Sequence, residues 1–148
     1  MPRANQDRYN PLGRVPRTLF GHAHESGSSV FPPEIDFSDV AKMHLVIPDN
    51  WNGLDKIYLW VSDDATEDKT INVTVNLGTC GEAYNIHTQT VNGIACNITA
   101  NQYLCIDLTT THATVLANLA VRDMIQVLVE HAGGDNPIQV FGVELQET

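Results

Sequence analysis

The sequence predicts an all-β protein, an antiparallel β-sandwich of jelly-roll type that carries an extended N-terminal arm. Three observations lead there. In residues 70–77 the side chains alternate strictly. Ile71, Val73, Val75 and Leu77 share one face, and Thr70, Asn72, Thr74 and Asn76 share the other, the period of a half-buried strand. About eight short runs rich in β-branched and aromatic residues follow one another, with turn signals between them. The chain is 148 residues long and 43% apolar, which suits one domain that buries roughly two-thirds of its unfolded surface.

Residues 1–33 read as the arm and residues 34–148 as the sandwich domain. The first segment holds Pro2, Pro11, Pro16, Pro32 and Pro33 with Gly13, Gly21 and Gly27 among them, and no period of 2 or 3.6 is sustained. Each proline removes a backbone donor, so this stretch is expected to lack strands or helices of its own. It also holds half of the chain's eight basic residues. Arg3, Arg8, Arg14 and Arg17 against Asp7 and Glu25 give it a net charge of +2. The remainder sets four bases against sixteen acids, a net of −12 within the total of −10. A cationic leader with scattered apolar anchors (Tyr9, Leu12, Leu19 and Phe20) reads as a docking arm that becomes ordered on a partner.

The body follows in order. Residues 35–37 open it, and 43–47 run up to Pro48. Asp49-Asn50-Trp51-Asn52-Gly53 is a turn, because Asp, Asn and Gly tolerate left-handed backbone. Residues 56–62 are a β-branched and aromatic strand. Residues 62–68 form an acidic loop, and 70–77 the clearest strand. Strands are also expected at 83–90, 93–98 and 103–108. A short helical turn fits 114–119, although 113–132 as a whole also admits an amphipathic helix. The β-branched content of 124–130 and the turn Gly133-Gly134-Asp135-Asn136-Pro137 favour two antiparallel strands, 124–130 and 138–145.

Several function classes are disfavoured. A body of net −12 lacks the basic patch that binds nucleic acid, and no run of eighteen apolar residues offers a membrane span. The first eight residues have no apolar stretch of the secretory type, so a cytosolic bacterial or viral product is expected. Cys80, Cys96 and Cys105 are odd in number and widely spaced, which argues for free thiols; a Cys80–Cys96 bridge is the pairing left open.

No catalytic constellation stands out, and neither a catalytic residue nor a cofactor is expected. There is no Gly-x-Ser-x-Gly elbow, phosphate-cradling loop or His-Glu-x-x-His run. His44, His87, His112 and His131 have no telling neighbours, and Asp107 and Asp123 read as strand-end caps rather than a glycosidase pair. His22-Ala23-His24-Glu25 would aim two imidazoles the same way in an extended chain, yet a metal needs three or four convergent ligands, so no metal is expected there. The acidic loop lacks EF-hand spacing and reads as a solvated turn. Asn72-Val73-Thr74 and Asn97-Ile98-Thr99 match the glycosylation pattern by chance.

Trp51, Tyr58, Trp60 and Tyr84 could form an aromatic platform for sugar rings. With Ile57, Leu59 and Val61 inward, Tyr58 and Trp60 share an outer face; the opposite register buries both, and the sequence leaves the two open.

The runs MHLVIPDNWNG (43–53), KIYLW (56–60), RDMIQVLVE (122–130) and IQVFGVEL (138–145) resemble the small β-sandwich proteins associated with tailed-bacteriophage virions. That resemblance implies a structural, non-enzymatic virion protein, a capsid decoration or cement subunit located in the virion. It would form a symmetric homo-oligomer such as a trimer. The arm residues Arg3, Arg8, Tyr9, Leu12, Arg14, Arg17, Leu19 and Phe20 would bind the major capsid protein or another virion protein, with no nucleic acid or membrane involved. The alternative is a carbohydrate- or receptor-binding module of a phage appendage that uses Trp51, Tyr58 and Trp60.

Overall fold

Alternating runs become layers: each strand turns its apolar side toward a shared interior, and two sheets close over it. The computed structural model describes residues 15–25 and 31–148. Among these the strands are β1 (Thr18–His22), β2 (His24–Glu25), β3 (Glu34–Ile35), β4 (Val40–Val46), β5 (Leu54–Ser62), β6 (Glu67–Gly78), β7 (His87–Ile98), β8 (Leu104–Asp107), β9 (Met124–Gly133) and β10 (Ile138–Glu147), with one helical turn, α1 (Ala113–Leu116).

One sheet is ordered β1-β10-β5-β8, with β3 beside the start of β10; the other is β2-β4-β9-β6-β7, and every pairing is antiparallel. Setting aside the two-residue β2 and β3, the eight longer strands lie in chain order 1-8-3-6 over 2-7-4-5. Every connection except the β6–β7 hairpin crosses between sheets, which is the jelly-roll arrangement.

The interior is aliphatic. Ala41 and Met43 of β4, Ile57, Leu59 and Val61 of β5, Ile71, Val73, Val75 and Leu77 of β6, Ile125, Val127 and Val129 of β9, and Val140 and Leu145 of β10 are fully buried. Each of these Val, Leu, Ile and Met side chains contributes about 1.5–3 kcal/mol through removal from water.

Two expectations are corrected. The first is the arm. Residues 18–22 were expected to lie outside the sandwich, but they form its first strand, in register from Thr18↔Gln146 to His22↔Gly142. Leu19 packs against the core, and a Cβ on Gly21 would meet Leu45 Cδ2 at 3.1 Å, so the two sheets touch there. A five-residue run flanked by Pro16 and broken by Gly21 has too little period to read as a strand. The open edge of β10, more than a hundred residues away, makes it one. The chain then changes sheet at buried Ala23, whose N–H donates to Phe141 O at 2.9 Å, and β2 joins β4. The sandwich therefore begins at Thr18 rather than at residue 34. Arg3, Arg8, Tyr9, Leu12 and Arg14 lie outside the described residues.

The second is β7. Residues 83–90 and 93–98 were read as two strands with a break between them. Instead residues 87–98 are continuous, and Gly93 sits at a bulge with φ +70°, its N–H donating to Asn72 Oδ1 at 2.9 Å.

Candidate functional site

A second bulge, in β10, shapes the outer face of the first sheet. Val140 pairs with Val61 and Gly142 with Trp60, so Phe141 is the extra residue. It lets both Val140 and Val143 point inward while Phe141 turns outward, a common use of bulges beside functional sites. Outward Trp60 from β5 stands next to it, which resolves the open register: Ile57, Leu59 and Val61 are inward, and Tyr58 and Trp60 are half-buried on the outside.

Around Phe141 the fold gathers a row of six rings from five parts of the chain. Phe20 meets His22 with centroids 5.2 Å apart, His22 meets Phe31 at 5.3 Å, Phe31 meets Phe141 at 6.4 Å, Phe141 meets Tyr103 at 5.0 Å, and Tyr103 meets Trp60 at 5.6 Å. Phe20, Phe31, Trp60, Tyr103, Phe141 and Glu144 line a groove of about 390 Å³, within the roughly 300–1,000 Å³ of small-ligand sites. Phe20, Phe31 and Tyr103 are 41%, 54% and 65% exposed. Such a run of large apolar rings left in water marks an interaction surface.

Ring geometry limits what can bind. Trp60–Tyr103, Tyr103–Phe141 and Phe31–Phe141 have interplanar angles of 65°, 76° and 83°. Neighbouring rings that stand nearly perpendicular cannot both lie flat against one planar ligand surface. The groove is therefore a corner of inclined rings, not a flat track.

One ion pair on this face is closed and one carboxylate is left without a cation among the described residues. Lys56 Nζ pairs with Asp107 Oδ2 at 3.1 Å. Asp107 is held below the usual carboxylate range by hydrogen bonds from the Thr109 side chain and backbone and from Lys56; the Lys56 ammonium is raised by Asp107. Glu144 receives Gln146 Nε2 at 2.6 Å and has no cation partner among the described residues. Cys105, opposite Trp60 on β8, is an exposed free thiol raised by burial and then by the Glu144 charge.

The remaining sequence candidates go elsewhere. Trp51 is 9% exposed and lies under the Arg17 guanidinium, 5.6 Å from its ring centroid, so it does not join Trp60. Tyr58 shares the outer face, in register with Glu144 and Asp107, but does not line the groove. Arg17 is bound to Glu147 at 2.9 Å and to Asn50, Leu19 is in the sandwich, and Phe20 is in the groove. Three of the eight predicted arm anchors are thus part of the fold itself. Tyr84 is exposed in the segment before β7.

His22 and His24 do not act together, because the crossing at Ala23 puts them on different sheets; His24 stacks on His44 at 5.6 Å. The acidic loop is not simply solvated. Asp63 and Glu67 pair with the fully buried Lys69 Nζ at 3.1 and 3.3 Å, and Lys69 also donates to Asn136 O. Glu67 is held down at about 2, first by the Asp135 N–H. All three cysteines are free, and burial pushes the Cys96 thiol up to about 12.

The outer face of the second sheet contrasts with the groove. Its polar side chains bond one another across strands: Asn76 to Gln126 at 2.8 Å, Thr88 to Asn76 at 2.6 Å, Asn72 to Glu130 at 2.9 Å, and Thr74 with Thr90 at 2.7 Å. Groups paired in this way have little left to read a ligand.

Phe20, Phe31, Tyr103, Phe141 and Glu144 were not singled out as one site from the sequence. The available signal was the break in alternation at Phe141-Gly142, where Ile138 and Val140 share a face with Val143 and Leu145 only if one residue is extra.

No protein-family model matches the chain, and no curated protein matches it. Among solved structures, it is similar to a carbohydrate-binding module crystallised with β-1,4-galactotriose. The likeness covers 96% of this chain and 91% of that one, with 11% identity and a TM-score of 0.35.

Proposed function

We propose that this β-sandwich is a non-catalytic carbohydrate-binding module and that the groove on the β1-β10-β5-β8 face holds the sugar. The observation that carries the reading is the row of exposed and half-buried, mutually inclined rings with one carboxylate among them. Sugar rings present apolar C–H faces edged by hydroxyls, so a site for them needs aromatic surface and a few polar acceptors. Trp60, Tyr103, Phe141, Phe31 and Phe20 supply the first and Glu144 the second. The perpendicular packing favours one terminal or branching sugar unit over a long stacked chain. Binding is favoured over hydrolysis because a single carboxylate lines the groove, where glycoside cleavage ordinarily uses two.

A glycan array probed with the native protein and with Trp60→Ala tests this. Binding to a subset of glycans that disappears in the variant supports it. No signal, or a signal indifferent to the substitution, overturns it.

A further inference from the structure

The lone carboxylate in this groove points to the class of sugar, an inference that rests on the carbohydrate reading above. Glu144 is flanked within its sheet by Phe20 and Tyr58, in register on either side. The nearby acid Asp107 already has Lys56, and Glu147 has Arg17, whereas Glu144 meets only the neutral Gln146 amide among the described residues. Aromatic faces carry negative charge density. A carboxylate among them adds to that field, and so does a chain of net charge −10. An acidic or sulfated sugar would be repelled, and a neutral one would leave the field uncompensated. An ammonium answers both terms at once, through a charge-assisted bond to Glu144 and through cation–π contact with the rings.

We infer that the groove selects an organic ammonium, and that its sugar is one bearing a free amine, a 2-amino-2-deoxyhexose unit. The Glu144 carboxylate accepts from the ammonium while the rings enclose the sugar's apolar face.

Titration calorimetry on the full chain tests this with four ligands: a β-1,4-linked glucosamine oligosaccharide, its N-acetylated counterpart, a neutral β-1,4-glucose oligosaccharide of equal length, and ethanolamine as a sugar-free primary ammonium. The free amine is expected to bind roughly tenfold tighter than the acetylated form, about 1.4 kcal/mol. The preference should vanish in Glu144→Gln, which keeps the shape and removes the charge. It should also vanish in about 1 M salt, where screening acts within about 3 Å. Equal affinity for all three saccharides, or a preference that survives Glu144→Gln, overturns the inference and leaves the carbohydrate reading standing. Ethanolamine binding that depends on Glu144, with no saccharide bound, supports ammonium selection and overturns the carbohydrate reading. No binding by any of the four overturns the inference and leaves the carbohydrate reading to the glycan array.

Discussion

Phe20 lies across Gly142. A Cβ placed on Gly142 would come within 2.6 Å of Phe20 Cε1 and 2.8 Å of Cζ, and would also strike Gly21 O. The absent side chain on β10 thus allows the first strand to pair closely and its ring to reach the groove, so one glycine serves both the fold and the site.

Gly142→Ala should therefore act on both. Overpacking of this kind costs typically 1–3 kcal/mol, and in a domain of this size each kcal/mol lowers the melting temperature by about 2–4 °C. Ligand affinity should fall along with the melting temperature. An alanine variant that melts and binds like the native chain contradicts the placement of Phe20.

Truncation separates a first strand from a detachable arm. A chain lacking residues 1–22 loses β1 and opens the β10 edge along residues 142–146. It is expected to melt lower and to self-associate through that edge, as judged by calorimetry and light scattering. A truncated protein with native melting temperature and monomeric mass would restore the arm.

Arg17→Ala takes the guanidinium from the buried Glu147 carboxylate, whose neighbours include the Asn52 N–H at 3.0 Å. Removing one partner of a charge pair on its buried side is expected to cost about 2–4 kcal/mol. Chemical denaturation measures it. Arg17→Lys should recover only part of the loss, since the second bond to Asn50 uses the planar fork.

Lys69→Met should destabilise the protein by about 3–5 kcal/mol, because Asp63 is left buried without its cation. The double change Lys69→Met with Asp63→Asn should cost less than the sum of the singles, a coupling that a double-mutant cycle reads directly.

Acid should weaken the fold in two stages. His112 is buried, with Nε2 at 2.9 Å from Val73 O and Nδ1 at 2.9 Å from Thr111 Oγ1, and burial lowers it from 6.5. His44 is lowered as well, by burial and then by His24 and Lys42. The unfolded chain therefore takes up these protons first, and stability falls as pH drops below about 6.5. Glu67, held near 2 against an ordinary 4.5, adds a loss as pH falls from about 4.5 toward 2. Melting temperatures at pH 7.5, 5.5 and 3.5 should decline in that order, and the first step should shrink in His112→Gln.

Local pattern carried much of the architecture. Ile71, Val73, Val75 and Leu77 announce β6 without help from any other part of the chain, because a strand's two faces alternate whatever it pairs with. The β-branched runs at 56–62 and 124–130 behave likewise, so the all-β class and the sandwich were legible from the amino-acid order. Where a residue's place depends on a distant neighbour, local pattern had nothing to say. Thr18–His22 is a strand because β10 has an open edge for it. Phe141 faces outward because a bulge offsets it against Trp60. The groove joins Phe20, Trp60, Tyr103 and Phe141 only after repeated crossings between sheets bring their strands side by side. The sequence alone determined which residues would avoid water and with what period. Tertiary structure decided which exposed rings would meet, since such meetings are long-range pairings that no window of neighbouring residues contains.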